Sequence, residues 1–160
     1  MGCNGGNQSW AFNYTKTNAL ESYDDYPYVS GTTLAKGTCT ANESLGVTGA
    51  SSYTYVTAND SDAMKVALEQ QPLAVSIDAS SLVFQFYNGG VLNSTRCGTD
   101  LDHAVLAVGW GTEDGVEFWL VKNSWGTGWG ENGYIKMAIT SGMGTCGIQQ
   151  AALWPTSYSA

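Results

Sequence analysis

Charge is scarce in this chain, and positive charge scarcer still. Only 12% of its 160 residues are charged, 14 acidic against 6 basic, leaving a formal net charge of −8 at pH 7. Neutralising phosphate takes grouped Lys or Arg, and no such group exists, so neither nucleic acid nor an anionic membrane is expected as a partner. Apolar runs of 18 residues are also missing, which leaves nothing to span a bilayer as a helix. Met1-Gly2-Cys3-Asn4-Gly5-Gly6 has neither the charged nor the apolar region of a secretory signal, so no signal peptide is visible. Histidine occurs once, and Cys3, Cys39, Cys97 and Cys146 form no C-x-x-C pair. A structural zinc site is therefore not expected, and no metal or other cofactor is. Four cysteines permit two disulfides in three connectivities, and spacing alone does not choose among them.

What is present is apolar, glycine-rich and turn-rich. Hydrophobic residues make up 43% of the chain, enough for a core, and the 20 glycines punctuate short segments. Five Asn-x-Ser/Thr sequons, at Asn7, Asn13, Asn42, Asn59 and Asn93, are compatible with a secreted protein but arise readily in so Asn-, Ser- and Thr-rich a chain. Trp10, Ala11, Phe12, Tyr14 and Leu20 recur near a helical period, which predicts a helix over 8–20. Residues 21–50 read as irregular loop. Asp60-Ser61 caps an amphipathic helix carrying Met64, Ala67 and Leu68, and Pro72 stops it. Strand periodicity follows in Leu73–Ile77, Ala104–Trp110, Val116–Val121 and Tyr134–Ile139. Asp114-Gly115 between the second and third of these predicts a hairpin. Helix and loop come first and an antiparallel sheet second, an α+β arrangement with a boundary near 46–52.

The hairpin carries the chemistry. His103 begins its first strand and Asn123 ends its second, so antiparallel pairing brings both to one edge of the sheet. A lone histidine at a strand end more often packs or hydrogen-bonds than reacts. An imidazole held by an amide oxygen, however, is locked in one tautomer, as nucleophile activation requires. Trp125 is close enough in sequence to cover that bond.

Gly2-Cys3-Asn4-Gly5-Gly6, Asp102-His103-Ala104-Val105, Asn123-Ser124-Trp125-Gly126 and Trp129-Gly130-Glu131-Asn132-Gly133-Tyr134 resemble, in order, signatures of the papain-like cysteine peptidases. Tyr26-Pro27-Tyr28 and Gln71-Pro72-Leu73-Ala74-Val75 are similar to family segments as well. The resemblance implies the papain-like fold: an incomplete helical lobe over 1–46 and an antiparallel β-barrel-like lobe over 47–160. It also implies a peptidase site in which His103 is the catalytic imidazole, Asn123 orients it and Trp125 shields both. Gly5 and Gly6 would bind an extended peptide or protein substrate, alongside Asp102. Ser76, Leu101 and Ala151 would line an apolar specificity pocket, with Asn7 and Gln8 at its rim. Cys97 and Cys146 would form a disulfide, and Cys3 and Cys39 would pair with cysteines outside these residues. The intact enzyme would be lysosomal, vacuolar or secreted.

One element of the pattern is missing. The family nucleophile sits in a Cys-Gly-Ser/Ala-Cys-Trp context roughly 130–150 residues before the histidine. Neither Cys3 nor Cys39 has that context or spacing. The chain is therefore expected to be a fragment of a cysteine-type endopeptidase, inactive by itself. The alternatives are one chain of a two-chain peptidase, completed by a Cys-bearing N-terminal chain, or an inactive relative with a binding or regulatory role. With its central helix missing, the helical lobe would leave a Trp10/Phe12/Tyr14 face bare.

Overall fold

The Asp-Gly signal closes a two-residue hairpin. Strand β5 (His103–Glu113) turns through Asp114 and Gly115 into β6 (Val116–Lys122), with Glu113 opposite Val116. Both turn residues have positive φ, 50° and 79°, the backbone that matches the twist of the strands it joins. The computed structural model describes residues 4–159. Two units are distinguished: one runs up to Thr54 and takes in the segment from Pro155, and the other is Tyr55–Trp154.

The second unit holds most of the core. In it β3 (Leu73–Ile77) pairs antiparallel with β5, β6 pairs with β7 (Tyr134–Ala138), and Ala74 of β3 lies opposite Leu153 of β8 (Leu153–Ser159). The last neighbour is β4 (Val91–Leu92), which joins β7 in parallel. Strand order does not return on itself, so the expected barrel-like lobe is instead an open, mixed sheet. The physical reason is length: β4 offers only two residues before the chain turns away, too few to continue the ladder into a closed ring.

Alternation along the strands places Leu73, Val75, Ile77, Val105, Ala107, Trp119, Val121, Ile135 and Met137 inside. The predicted helix appears as α3 (Ser61–Leu68), where Asp60 accepts the Ala63 N–H at 2.9 Å and Met64 and Ala67 are buried. That cap is worth about 1 kcal/mol. A short helix, α4 (Leu82–Gln85), sinks Phe84 into the same core.

In the first unit α1 (Gln8–Thr15) is shorter than the 8–20 expected. The Thr15 hydroxyl accepts the Ala50 N–H at 3.1 Å, and Asn18 Nδ2 donates to the Tyr14 carbonyl at 2.9 Å. Side chains that satisfy backbone groups in this way end a helix. Phe12 stacks on Tyr53 at 5.8 Å, so the face expected to be bare is exposed only at Trp10 and Tyr14. The stretch read as loop contains β1 (Leu20–Glu21), α2 (Ser30–Thr33) and the start of β2 (Gly46–Tyr55). Polar, glycine-containing β2 carries little strand periodicity, which is why sequence alone missed it.

Candidate active site

His103 is the first residue of β5, directly opposite Ile77 of β3. Asn123 follows the last residue of β6, and its backbone N–H donates to the Gly133 carbonyl at 2.9 Å. Strand pairing thus sets both residues at one end of the hairpin. A bulge between Ala107 and Gly109 offsets the register there. His103 Nε2 and Asn123 Oδ1 are 2.9 Å apart, within hydrogen-bonding distance.

The tautomer follows from a third group. The Ser124 N–H also reaches Asn123 Oδ1, at 2.7 Å, and a backbone amide can only donate. The atom facing it must therefore be the oxygen, so Nε2 of His103 must be the protonated nitrogen. Nδ1 is then the basic nitrogen of the neutral ring. Asn123 is 8% exposed, and among the described residues its Nδ2 has no hydrogen-bond partner.

Trp125 stacks on the imidazole at 5.2 Å with 28° between planes. Its other sides meet Phe84 and Trp129 edge-on, both at 5.4 Å. Trp129 is fixed in turn by donating its indole N–H to the Gln85 carbonyl at 2.9 Å. Beyond it Lys136 bridges Glu113 at 2.6 Å and Glu131 at 3.0 Å, and Glu131 accepts the Gly90 N–H. Lys136 holds the Glu131 carboxyl below the usual range, and the two carboxylates hold the Lys136 ammonium above its own.

A cleft of about 510 Å³ opens beside the imidazole, lined by Ala79, Ser80, Gln85, Phe86, Asp102, His103 and Trp125. Asp102 Oδ1 accepts the Ala79 N–H at 2.8 Å. Below the cleft Asp78 is buried, 4% exposed. Hydrogen bonds from the Ser80 hydroxyl, the Ser80 N–H and the Asp100 N–H hold its carboxyl below the ordinary range, although burial opposes them. No metal-binding cluster of His, Cys, Asp or Glu occurs among the described residues.

The structure brings His103, Asn123, Trp125 and Asp102 together. Ser76, Leu101 and Ala151 do not line this cleft. Ser76 pairs with Ala104 across β3 and β5, Leu101 lies over Gly147, and Ala151 is half-buried. Gly5 and Gly6 belong to the first unit, where Gly5 has φ +81°. Cys97 and Cys146 are joined in a disulfide and Cys39 is an exposed free thiol. Cys3 lies outside the described residues. Ala79, Ser80, Gln85 and Phe86 were not anticipated as cleft walls, because they occupy a turn and a one-turn helix that carry no motif.

Comparison with known proteins gives one answer. The family model described as papain family cysteine protease matches residues 1–156. The thiol protease SEN102 of Hemerocallis sp. is 44% identical over 163 residues, covering 99% of this chain and 44% of that protein. Fruit bromelain of Ananas comosus is 42% identical over 162 residues, again covering 99% of this chain and 44% of the relative. A solved structure of the Ananas comosus bromelain protease with the E64 inhibitor superposes with a TM-score of 0.88 at 41% identity, covering 98% of this chain and 72% of that one. The chain thus spans less than half the length of these two curated relatives.

Proposed function

Because the chain belongs to the papain family of cysteine proteases, we propose that it supplies the imidazole and carboxamide of a Cys-His-Asn peptidase site whose thiol comes from polypeptide outside these 160 residues. The 2.9 Å contact between His103 and Asn123 beneath the Trp125 ring carries this reading. Asn123 Oδ1 accepts the Nε2–H of His103 and so leaves Nδ1 as the unprotonated nitrogen. Nδ1 would take the thiol proton, leaving a thiolate–imidazolium pair; the thiolate would add to the scissile carbonyl, and Nδ1 would protonate the amine as the C–N bond breaks and the acyl-enzyme forms. Water then releases the acyl group, with the same nitrogen as base. Trp125 limits the access of bulk water to the hydrogen bond.

The substrate is a peptide or protein in extended form. Gly5 and Gly6 are assigned to backbone contacts with it. Ser76, Leu101 and Ala151 are assigned to a side-chain pocket that favours apolar groups, since none of the three is charged. Residues 1–46 are read as part of a helical lobe and 47–160 as the lobe bearing the imidazole. The Cys97–Cys146 disulfide favours an oxidising compartment, vacuolar or extracellular. Among the described residues no helix is long and apolar enough to cross a membrane.

Hydrolysis of a fluorogenic peptide tests the proposal. The 160-residue chain alone is expected to show none, and activity should appear when a family segment bearing the Cys-Trp motif is joined to it or supplied with it. In that complemented enzyme His103→Ala should remove at least about 100- to 10,000-fold of the rate. Activity of the chain alone that disappears on alkylating Cys3 or Cys39 would overturn the external-thiol assignment. An unaffected His103→Ala enzyme would overturn the role of the imidazole.

A further inference from the structure

Sequence order makes His103 the start of β5, but something must deliver the chain to that point in the right place. The segment that does so, residues 97–102, has no regular structure of its own. The Cys97–Cys146 disulfide and a hydrogen bond from Gln150 Nε2 to the Thr99 carbonyl, 2.9 Å, hold part of it, and its remaining anchors lie at the end of β3. The Asp102 N–H donates to the Ile77 carbonyl at 3.0 Å, which closes the β3–β5 ladder at the Ile77–His103 pair. One residue beyond Ile77, the buried carboxylate of Asp78 faces two ways. Its Oδ1 accepts the Ser80 N–H at 3.0 Å and the Ser80 hydroxyl at 2.7 Å, both from its own side of the crossing. Its Oδ2 accepts the Asp100 N–H at 3.1 Å, from the incoming segment.

The incoming segment also passes very close to this carboxylate. A methyl group built on Gly98 would collide with Asp78 Oδ2, so only glycine lets the backbone through at that distance. Asp78 is further held by its own N–H, which donates to the Cys146 carbonyl at 2.9 Å, and Cys146 is bonded to Cys97 at the start of the segment. The carboxylate thus fills the inside of a closed circuit: β3, the disulfide, the 97–102 segment and back to β3. Asp102 ends the segment in that circuit and His103 follows it directly, and both line the cleft.

From this geometry we propose that Asp78 is a positioning residue, whose carboxylate ties residues 97–102 to the end of β3 and so sets the placement of Asp102 and the His103 imidazole at the cleft. It touches no reacting atom. A neutral side chain of the same shape cannot replace it. In Asp78→Asn one of the two acceptor positions becomes an NH₂ group, which must face either the Ser80 N–H or the Asp100 N–H, donor against donor. The segment is then released at one anchor while the disulfide and the β3–β5 ladder remain. The role matters for catalysis only if the proposed function holds, but its test needs no catalysis.

His103 is the only histidine, so its two carbon-bound ring protons are unambiguous in an NMR spectrum. The Trp125 ring stacked on the imidazole shifts those signals upfield by its ring current, and the shift depends steeply on ring placement. In Asp78→Asn the upfield displacement should be largely lost, or the signals doubled or broadened. The far-UV spectrum and the disulfide should be retained. Ser80→Ala removes one of the two Ser80 hydrogen bonds at an exposed position, and should move the same signals in the same direction by less. Asp100→Asn removes a nearby charge but keeps the backbone N–H, and should leave them in place.

Wild-type imidazole signals in both the folded Asp78→Asn protein and Ser80→Ala would overturn the proposal. So would an equal displacement in Asp100→Asn, which would mean that local charge alone is being read. If Asp78→Asn does not fold, Ser80→Ala against Asp100→Asn decides. A failure of peptide hydrolysis in the complemented enzyme leaves these signals untouched, so the two readings fail separately.

Discussion

Replacing Asn123 by alanine separates stability from function in this protein. Two hydrogen bonds to Oδ1 are lost, from His103 Nε2 at 2.9 Å and from the Ser124 N–H at 2.7 Å. Each contributes about 1 kcal/mol net when both partners are neutral. Against that loss, the substitution also deletes a buried NH₂ group that has no partner among the described residues, whose desolvation costs roughly 1–3 kcal/mol. The two effects nearly cancel, so urea unfolding should report a change within about 1 kcal/mol. Function should respond very differently. Without the amide the Nε2–H tautomer is no longer enforced and the ring can rotate beneath Trp125. By analogy with removal of an orienting group from other nucleophilic sites, kcat/KM of the complemented enzyme should fall by about 100- to 10,000-fold. Paired urea melts and fluorogenic assays check both halves. A loss of 3 kcal/mol or more with activity largely intact would refute the reasoning, because it would make the contact an ordinary structural bond.

Further outcomes follow from the surroundings of the site. Trp125→Ala should cost about 1–3 kcal/mol of stability, since the partly buried ring packs on His103, Phe84 and Trp129, and should reduce kcat/KM by about tenfold or more by wetting the His103–Asn123 bond. An unchanged rate would show that the indole does not shield. Opening the Cys97–Cys146 disulfide, which spans 49 residues, should lower stability by about 4 kcal/mol on loop-closure grounds, read as a urea midpoint in the Cys97→Ser/Cys146→Ser protein. A wild-type midpoint would argue against that loop-closure estimate. Stability should also fall on acidification. Asp78 and Glu131 have lowered folded-state values, so their stabilisation is complete above the unfolded carboxylate range near pH 4 and is lost as pH drops through the folded values. Urea midpoints between pH 7 and pH 3 should show this fall, and Asp78→Asn should flatten it. An identical slope in that variant would rule Asp78 out as a source.

Some of this was legible in the linear chain and some was not, for reasons that differ residue by residue. Asp114-Gly115 can occupy the left-handed backbone that a two-residue hairpin demands, so the turn and both strands could be read directly. Once the hairpin is known, His103 and Asn123 must lie near its open end. Asp60 before an apolar period of Met64 and Ala67 likewise announces α3. By contrast, β2 is polar and largely exposed, and β4 is two residues long, so neither leaves a periodic trace. The barrel-like expectation for the second lobe failed at β4, whose shortness leaves the sheet open.

What the chain alone determined is the order of its chemical groups: one imidazole, one carboxamide twenty positions on, an indole beside it, and a turn that folds the first two together. Those facts are local, because turn chemistry and strand alternation act over a few residues. The identity of the protonated nitrogen was decided only in three dimensions, by the Ser124 N–H claiming the same oxygen. The cleft walls from Ala79, Ser80, Gln85 and Phe86 arise in the same way, as does the buried carboxylate of Asp78 under the segment that delivers His103. Each depends on groups far apart in sequence competing for one acceptor or one volume, and such competition exists only once the backbone has closed on itself.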